Sequence, residues 1–183
     1  MKIDLYKAKK ILNHKNQITI GKLLKTHGYK GQLKANIFIE IPSNINFIFT
    51  KYQGFILPLK IDYQNSTFDT SPQIIKFYRI NDIENAKKIA GKDIYLPIDL
   101  LENEPFEIYD YNFFINFSLE KENKNLGKII SFIDNKANPL FEIKKDEKIL
   151  HLPINALIIN EILIKAKKII VELKDINLLN LYQ

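Results

Sequence analysis

The chain contains no cysteine, which excludes a disulfide framework, a thiol nucleophile and a thiolate metal site. It also lacks a run approaching the roughly 18 uninterrupted apolar residues of a membrane-spanning helix. The best stretch, Ala156 to Leu173, is broken by Asn160, Glu161, Lys165, Lys167 and Lys168. Lys7, Lys9, Lys10 and Lys15 interrupt every apolar run near the start, so no secretory core is read there and a cytoplasmic location is expected. Arginine is nearly missing: of 27 basic residues only Arg79 is one. Ile, Lys and Asn, whose codons are A/T-rich, are abundant, so the bias toward lysine reads as base composition. Lysine supplies charge without the bidentate geometry of a guanidinium. Glycine numbers only six, yet Gly21, Gly28 and Gly31 fall within one short stretch.

That stretch is the most specific feature present. Lys25-Thr26-His27-Gly28-Tyr29-Lys30-Gly31 forms a basic corner between two segments that read as strands, Ile18–Leu24 and Gln32–Phe38. Further β-branched and aromatic runs, Tyr52–Ile61 and Gln73–Ile80, predict a small barrel. One helix interrupts them over Asp82–Ala90. Asn81 is the expected N-cap, with Glu84 completing a capping box, Ile83, Ala86 and Ile89 or Ala90 forming an apolar face, and Gly91 ending it. Asp93–Pro97 returns as a strand.

The 183 residues, 46% of them apolar, fit one domain or two small ones with an ordinary core. Residues 1–98 hold 16 basic and 7 acidic side chains, and residues 99–183 hold 11 and 14, so a net +9 precedes a net −3. Such asymmetry fits phosphates for the first half and a basic protein for the second. The boundary is expected at Asp99-Leu100-Leu101-Glu102-Asn103-Glu104-Pro105, which has three acids, no base and a proline. Beyond it Tyr111–Leu119, Leu126–Ile133, Pro139–Lys144, Lys148–Leu152 and Ile169–Leu173 read as strands of a second barrel, and Ile176–Tyr182 as a helical turn packed on it. The fold class is therefore mainly all-β, as two small β-barrels with one short helix in the first. The domains are a basic arm or helix over 1–15, a barrel over 16–98, a linker over 99–106 and a second barrel over 107–183.

No catalytic centre is nominated. His27 has Thr26, Gly28 and Lys30 as neighbours and no acid nearby in sequence to orient an imidazole, so a turn or contact role is favoured over a general base. His14 fares no better, and His151 alternates with Leu150 and Leu152 on a strand. Asp146 and Glu147 share a turn without metal-ligand spacing, and Gly21–Gly31 lacks the Gly-Lys-Ser/Thr ending of a phosphate loop. No metal and no cofactor are expected. Lys22, Lys25, Lys30 and Lys34 surround the corner with Tyr29 among them, a pattern that either holds phosphate and stacks a base or merely solvates a barrel rim.

The pattern I-G-K-x-x-K-T-H-G-x-x-G-x-x-K resembles the opening of the bacterial ribosome maturation factor RimM family. The resemblance continues in order through Asn81–Pro97, like the family's D-x-x-x-A-x-x-L-x-G-x-x-L-Y-V-P segment. It extends through Leu126–Ile129 and Ile149–Pro153, like strands of its PRC barrel, and through Leu178–Leu181, like its G-L-L-D-L ending. It implies a translation-factor-like first barrel, a PRC barrel, and no covalent chemistry. It further implies a monomer without membrane contact that binds the head of the pre-30S particle and helps the 3′ domain of 16S rRNA mature.

Its implied protein partner is the nineteenth small-subunit ribosomal protein, bound by a segment like E-x-Y-Y-W-H-D-L-I-G. The matching stretch here is Glu104–Phe113, which gives Phe106, Ile108, Tyr109, Asp110 and Tyr111 as candidates. With Asp110 on the family aspartate, Phe106 and Glu107 fall on the tyrosine pair and Phe113 replaces the glycine; a shifted register uses Tyr109 and Tyr111. Lys22, Lys25, His27, Tyr29, Lys30 and Lys34 are the implied rRNA contacts, with Gly28 and Gly31 shaping the turn. A small RNA-acting hydrolase using His27 and a stand-alone RNA-binding module are the rival readings.

Overall fold

The computed structural model describes residues 16–64, 72–102 and 105–174. The expected arm over 1–15 and the turn over 176–182 lie outside them. The chain divides into two compact units, 1–113 and 114–183.

The first unit is a closed barrel of six strands, β1 (Gln17–His27), β2 (Gln32–Ile37), β3 (Phe47–Tyr52), β4 (Phe55–Gln64), β5 (Gln73–Phe77) and β6 (Asp93–Pro97), ordered β1-β2-β5-β4-β3-β6. Strict alternation drives β2: Leu33, Ala35 and Ile37 are buried while Gln32, Lys34 and Asn36 face outward. Phe47 and Phe49 meet edge to face at 5.3 Å inside the core. Each fully buried ring of this kind stabilises by about 2–3 kcal/mol relative to exposure. The helix α1 (Ile83–Ile89) packs against β1, β2 and β3 and buries Ala86 and Ile89.

Local chemistry corrects two expectations here. The N-cap is Asp82, whose carboxylate accepts from the Asn85 backbone amide at 2.7 Å, an interaction that holds its pKa below the ordinary carboxylate value. Asn81 instead accepts from the Lys76 ammonium, and Glu84 pairs with Lys87 instead of completing a capping box. The run Tyr52–Ile61 is not one strand. Gln53 (φ 50°) and Gly54 (φ 81°) make a two-residue turn of the left-handed kind that joins β3 to β4.

The second unit is a six-stranded sheet of β7 (Ser118–Lys121), β8 (Lys124–Ile133), β9 (Leu140–Lys145), β10 (Lys148–Pro153), β11 (Leu157–Leu163) and β12 (Lys168–Leu173), ordered β10-β9-β8-β7-β12-β11. All neighbours are antiparallel except β7 with β12. One face carries Leu119, Ile129, Phe141, Ile143, Leu152, Ile169 and Val171, all buried, and Phe114 sets its ring edge to face against Phe117 and Phe141. This is an all-β protein of two barrel-like units.

Tyr111–Leu119 is not a strand: a 3-10 turn occupies Tyr111–Phe114 and pairing begins only at Ser118. The strand β11 lies inside the apolar stretch that the sequence offered only as a rejected membrane span. Among the described residues no helix is long and apolar enough to cross a membrane.

Candidate interaction surfaces on the first unit

The glycine corner joins β1 to β2, and its two glycines do different work. Both sit at positive φ, 62° at Gly28 and 76° at Gly31. Gly28 faces open space apart from the Gln32 side chain, so only its backbone angle demands glycine. Gly31 is buried, and a Cβ there would collide with the Ile80 carbonyl and press on the Asp82 amide at 3.0 Å. The corner is thereby seated on the turn that leads into α1.

A bulge between Leu23 and Thr26 interrupts the β1–β2 ladder. The Leu23 and Leu24 carbonyls both accept from the Gly91 amide, at 2.9 and 3.0 Å, so the end of α1 holds the bulge in place. Lys34 lies opposite this bulge, between the Leu23–Ala35 and Thr26–Leu33 pairs, with Leu24 and Lys25 both across from it. His27 pairs with Gln32 and is half-buried, while Tyr29 is 76% exposed with the Lys30 ammonium 5.8 Å from its ring centroid. Lys22 stands further along, between Asn36 of β2 and Asp93 of β6. Five of the six residues expected at phosphate therefore gather at the corner, and Lys22 sits apart beside a carboxylate. His27 has no ion pair or hydrogen bond to a carboxylate, and no group of three His, Cys, Asp or Glu is arranged to hold a metal, among the described residues.

The expected protein-binding segment is also anchored to this unit. Ile108 forms an antiparallel bridge with Ile39, the Glu40 amide donates to the Glu107 carbonyl at 2.8 Å, and the Tyr109 and Asp110 amides donate to the Phe38 carbonyl at 2.7 and 3.1 Å. Asp110 accepts from Asn36 at 2.9 Å and from the backbone and side-chain amides of Asn112 at 2.8 Å each. The phenol of Tyr109 is pushed up to about 12 by burial, with the Glu40 and Glu107 carboxylates adding to it. Phe106 lies edge to face on buried Phe113 at 5.9 Å, and Tyr111 is exposed.

The expected second domain begins at 107, whereas these bonds hold 107–110 to Phe38–Glu40, just past the end of β2, within the first unit. The assigned linker is likewise packed, with Leu100 and Leu101 buried around a 3-10 turn at Ile98–Leu100. Asp110 and Ile108 thus position the segment, and its outward chemistry falls to Phe106, Glu107, Tyr111 and Glu40. A cleft of about 420 Å³ lined by Glu40, Pro42, Ser43, Pro105, Phe106 and Glu107 opens beside it. Glu40 carried no signal in the sequence, since only the fold brings it to Glu107.

The sequence carries no local signal for a set of tyrosines paired with cations, of which Tyr78 is exposed and Tyr52 and Tyr95 are half-buried. Lys60 and Arg79 each lie 5.4 Å from the Tyr78 ring centroid, Lys51 lies 5.2 Å from Tyr95, and Lys92 lies 5.7 Å from Tyr52. In the second unit His151 faces Glu142 across the β9–β10 ladder at 3.1 Å, consistent with a surface role.

These features give an all-β protein whose first unit carries a basic aromatic surface and an acidic aromatic one. A family model described as the RimM N-terminal domain matches residues 18–101. The ribosome maturation factor RimM of Sulfurihydrogenibium sp. (strain YO3AOP1) is 32% identical over 159 residues, covering 84% of this chain and 92% of that protein. The ribosome maturation factor RimM of Christiangramia forsetii is 27% identical over 140 residues, covering 74% and 79%. The chain belongs to the RimM family of ribosome maturation factors. Among solved structures it is similar to a RimM 16S ribosomal RNA processing protein from Pseudomonas aeruginosa, at 18% identity and a TM-score of 0.41, over 85% of this chain and 96% of that one. The family assignment rests on the curated relatives.

Proposed function

We propose that this protein acts by binding alone, as an assembly factor for the head of the immature small ribosomal subunit. The glycine corner contacts 16S rRNA, and the segment Pro105–Phe113 contacts the nineteenth small-subunit ribosomal protein. One observation carries the reading: β2 runs between the two surfaces. Its first residue follows the basic corner, and Phe38–Glu40 beyond its end hold the acidic segment. At about 3.3 Å per residue the strand sets them roughly 20 Å apart.

A rigid strand with a phosphate-binding end and an end suited to a basic protein senses whether RNA and protein stand at the right separation. The factor binds the arrangement that satisfies both ends, shifts the population toward it, and leaves once the mature surface no longer fits. Asp99–Phe113 contains five acids and no base, which suits a lysine- and arginine-rich partner.

The test is titration of the full-length chain with the purified ribosomal protein and with precursor small subunits. Phe106→Ala combined with Tyr111→Ala is expected to weaken the ribosomal-protein complex by a few kcal/mol, as loss of central aromatic anchors does. An unchanged affinity in the folded variant removes this surface from the reading. The hydrolase alternative predicts RNA cleavage by the wild type that His27→Ala abolishes; the binding reading predicts no cleavage by either.

A further inference from the structure

We propose that Tyr78, with Lys60 and Arg79 against it, is a stacking platform for an unpaired base of single-stranded RNA. The inference rests on the reading that this barrel faces rRNA, and adds a site on a second loop.

Tyr78 is 55% exposed at the end of β5. An aromatic ring left in water with two cations 5.4 Å from its centroid suits a ligand that is planar and apolar in one part and anionic in another. A nucleotide has that composition. Its base stacks on the ring while its phosphate meets the ammonium and the guanidinium. Neither Lys60 nor Arg79 makes an ion pair with a carboxylate among the described residues.

The turn carrying the platform is fixed before any ligand arrives. The Ile80 amide returns to the Phe77 carbonyl at 3.2 Å, and the Tyr78 amide donates to the Lys60 carbonyl at 2.9 Å. The Lys76 ammonium bonds both the Ile80 carbonyl and the Asn81 side chain, and Gly31 abuts the backbone of Ile80 and Asp82. Arg79 adopts φ 66°, a left-handed conformation that costs a non-glycine residue about 1–2 kcal/mol. The only arginine of the chain thus stands on this turn, held by its backbone beside the Tyr78 ring.

Because Gly31 seats the corner on this turn, the Tyr29–Lys30 pair and the Tyr78–Arg79 pair stand on adjoining loops. Two aromatic–cation pairs at one end of a barrel fit a strand of RNA better than a single nucleotide. Such a strand stacks successive bases without reading their sequence.

The experiment titrates the full-length protein with a short fluorescent oligouridylate and with precursor small subunits. Tyr78→Ala is expected to lower oligouridylate affinity between about fivefold and a hundredfold. Tyr78→Phe, which keeps the ring, retains the affinity. Arg79→Gly relieves the backbone and is expected to hold or raise Tm while weakening RNA binding and flattening its salt dependence. A folded Tyr78→Ala with wild-type affinity for the oligouridylate overturns the proposal, and so does a loss confined to ribosomal-protein binding. If precursor subunits fail to bind the wild type while Tyr78-dependent oligouridylate binding stands, this inference survives and the assembly reading falls.

Discussion

The side-chain amide of Asn36 donates to the Asp110 carboxylate at 2.9 Å, joining the outer face of β2 to a residue 74 positions later. Asp110, which the family resemblance offers as a contact for a partner, is thereby turned inward as an anchor. Charge-assisted hydrogen bonds contribute more than neutral ones, so Asp110→Ala is expected to destabilise the first unit by about 2 kcal/mol. Asn36→Ala separates anchoring from contact, because Asn36 is no part of the segment. Amide exchange at Tyr109 and Asp110 should accelerate in Asn36→Ala, and partner affinity should fall with it. Unchanged exchange at those amides would mean that the bond does not position the segment.

The same anchoring makes the segment sensitive to alkali. Tyr109 titrates at about 12 in the folded protein against an ordinary value of 10.0, with burial as the leading cause and Glu40 and Glu107 adding to it. Between those values the unfolded chain has lost the proton that the folded chain retains. The contribution is thus complete below pH 10 and is lost as pH rises toward 12. Urea unfolding at pH 9 and pH 11.5 should show a stability loss in the wild type that is smaller in Tyr109→Phe. Equal losses would place the alkaline sensitivity elsewhere.

Affinity for precursor subunits should weaken with salt, because Lys25, Lys30 and Lys34 lie on or beside the corner in the β1–β2 hairpin. Replacing each with Gln is expected to remove about 0.7–0.9 from the logarithmic salt slope for every phosphate no longer neutralised. Lys22→Gln should change the slope less, since Asp93 stands beside it on the neighbouring strand. A slope unaltered by the triple change would leave these lysines as solvation of the barrel rim.

What the sequence makes legible is local. The inward alternation of Leu33, Ala35 and Ile37, the helix punctuated by Gly91, and the glycine corner are all written within a few neighbouring residues. Errors arise where one apolar run serves two strands, as around Gln53-Gly54, or where two good caps stand side by side, as Asn81 and Asp82 do. Lys76 decides the second case by taking Asn81 for itself. The placement of Ile108–Asp110 beside Phe38 and Ile39 lies beyond sequence reading, because no periodicity encodes a bridge across some 70 residues. The aromatic and acidic character of that segment is visible in the sequence, and its attachment to the first unit is not. The Tyr78 platform left one trace, the solitary Arg79, which is interpretable only once its backbone angle is known.

The two glycines of the corner should respond differently to substitution. Gly28→Ala meets only the Gln32 side chain, 3.6 Å from the new Cβ, so the left-handed backbone is its main cost, about 1–2 kcal/mol. Gly31→Ala adds a collision with the Ile80 carbonyl and pressure on Asp82, backbone atoms that cannot swing aside. Strain and overpacking together put its cost at about 2–5 kcal/mol. Because Ile80 and Asp82 lead into α1, the damage should spread to the helix, and exchange protection of Ala86 and Ile89 should drop in Gly31→Ala alone. Thermal unfolding of the two variants beside the wild type checks the ranking. Equal destabilisation by both changes would show that the backbone angle alone selects glycine there, and that the packing against the Ile80–Asp82 turn adds nothing.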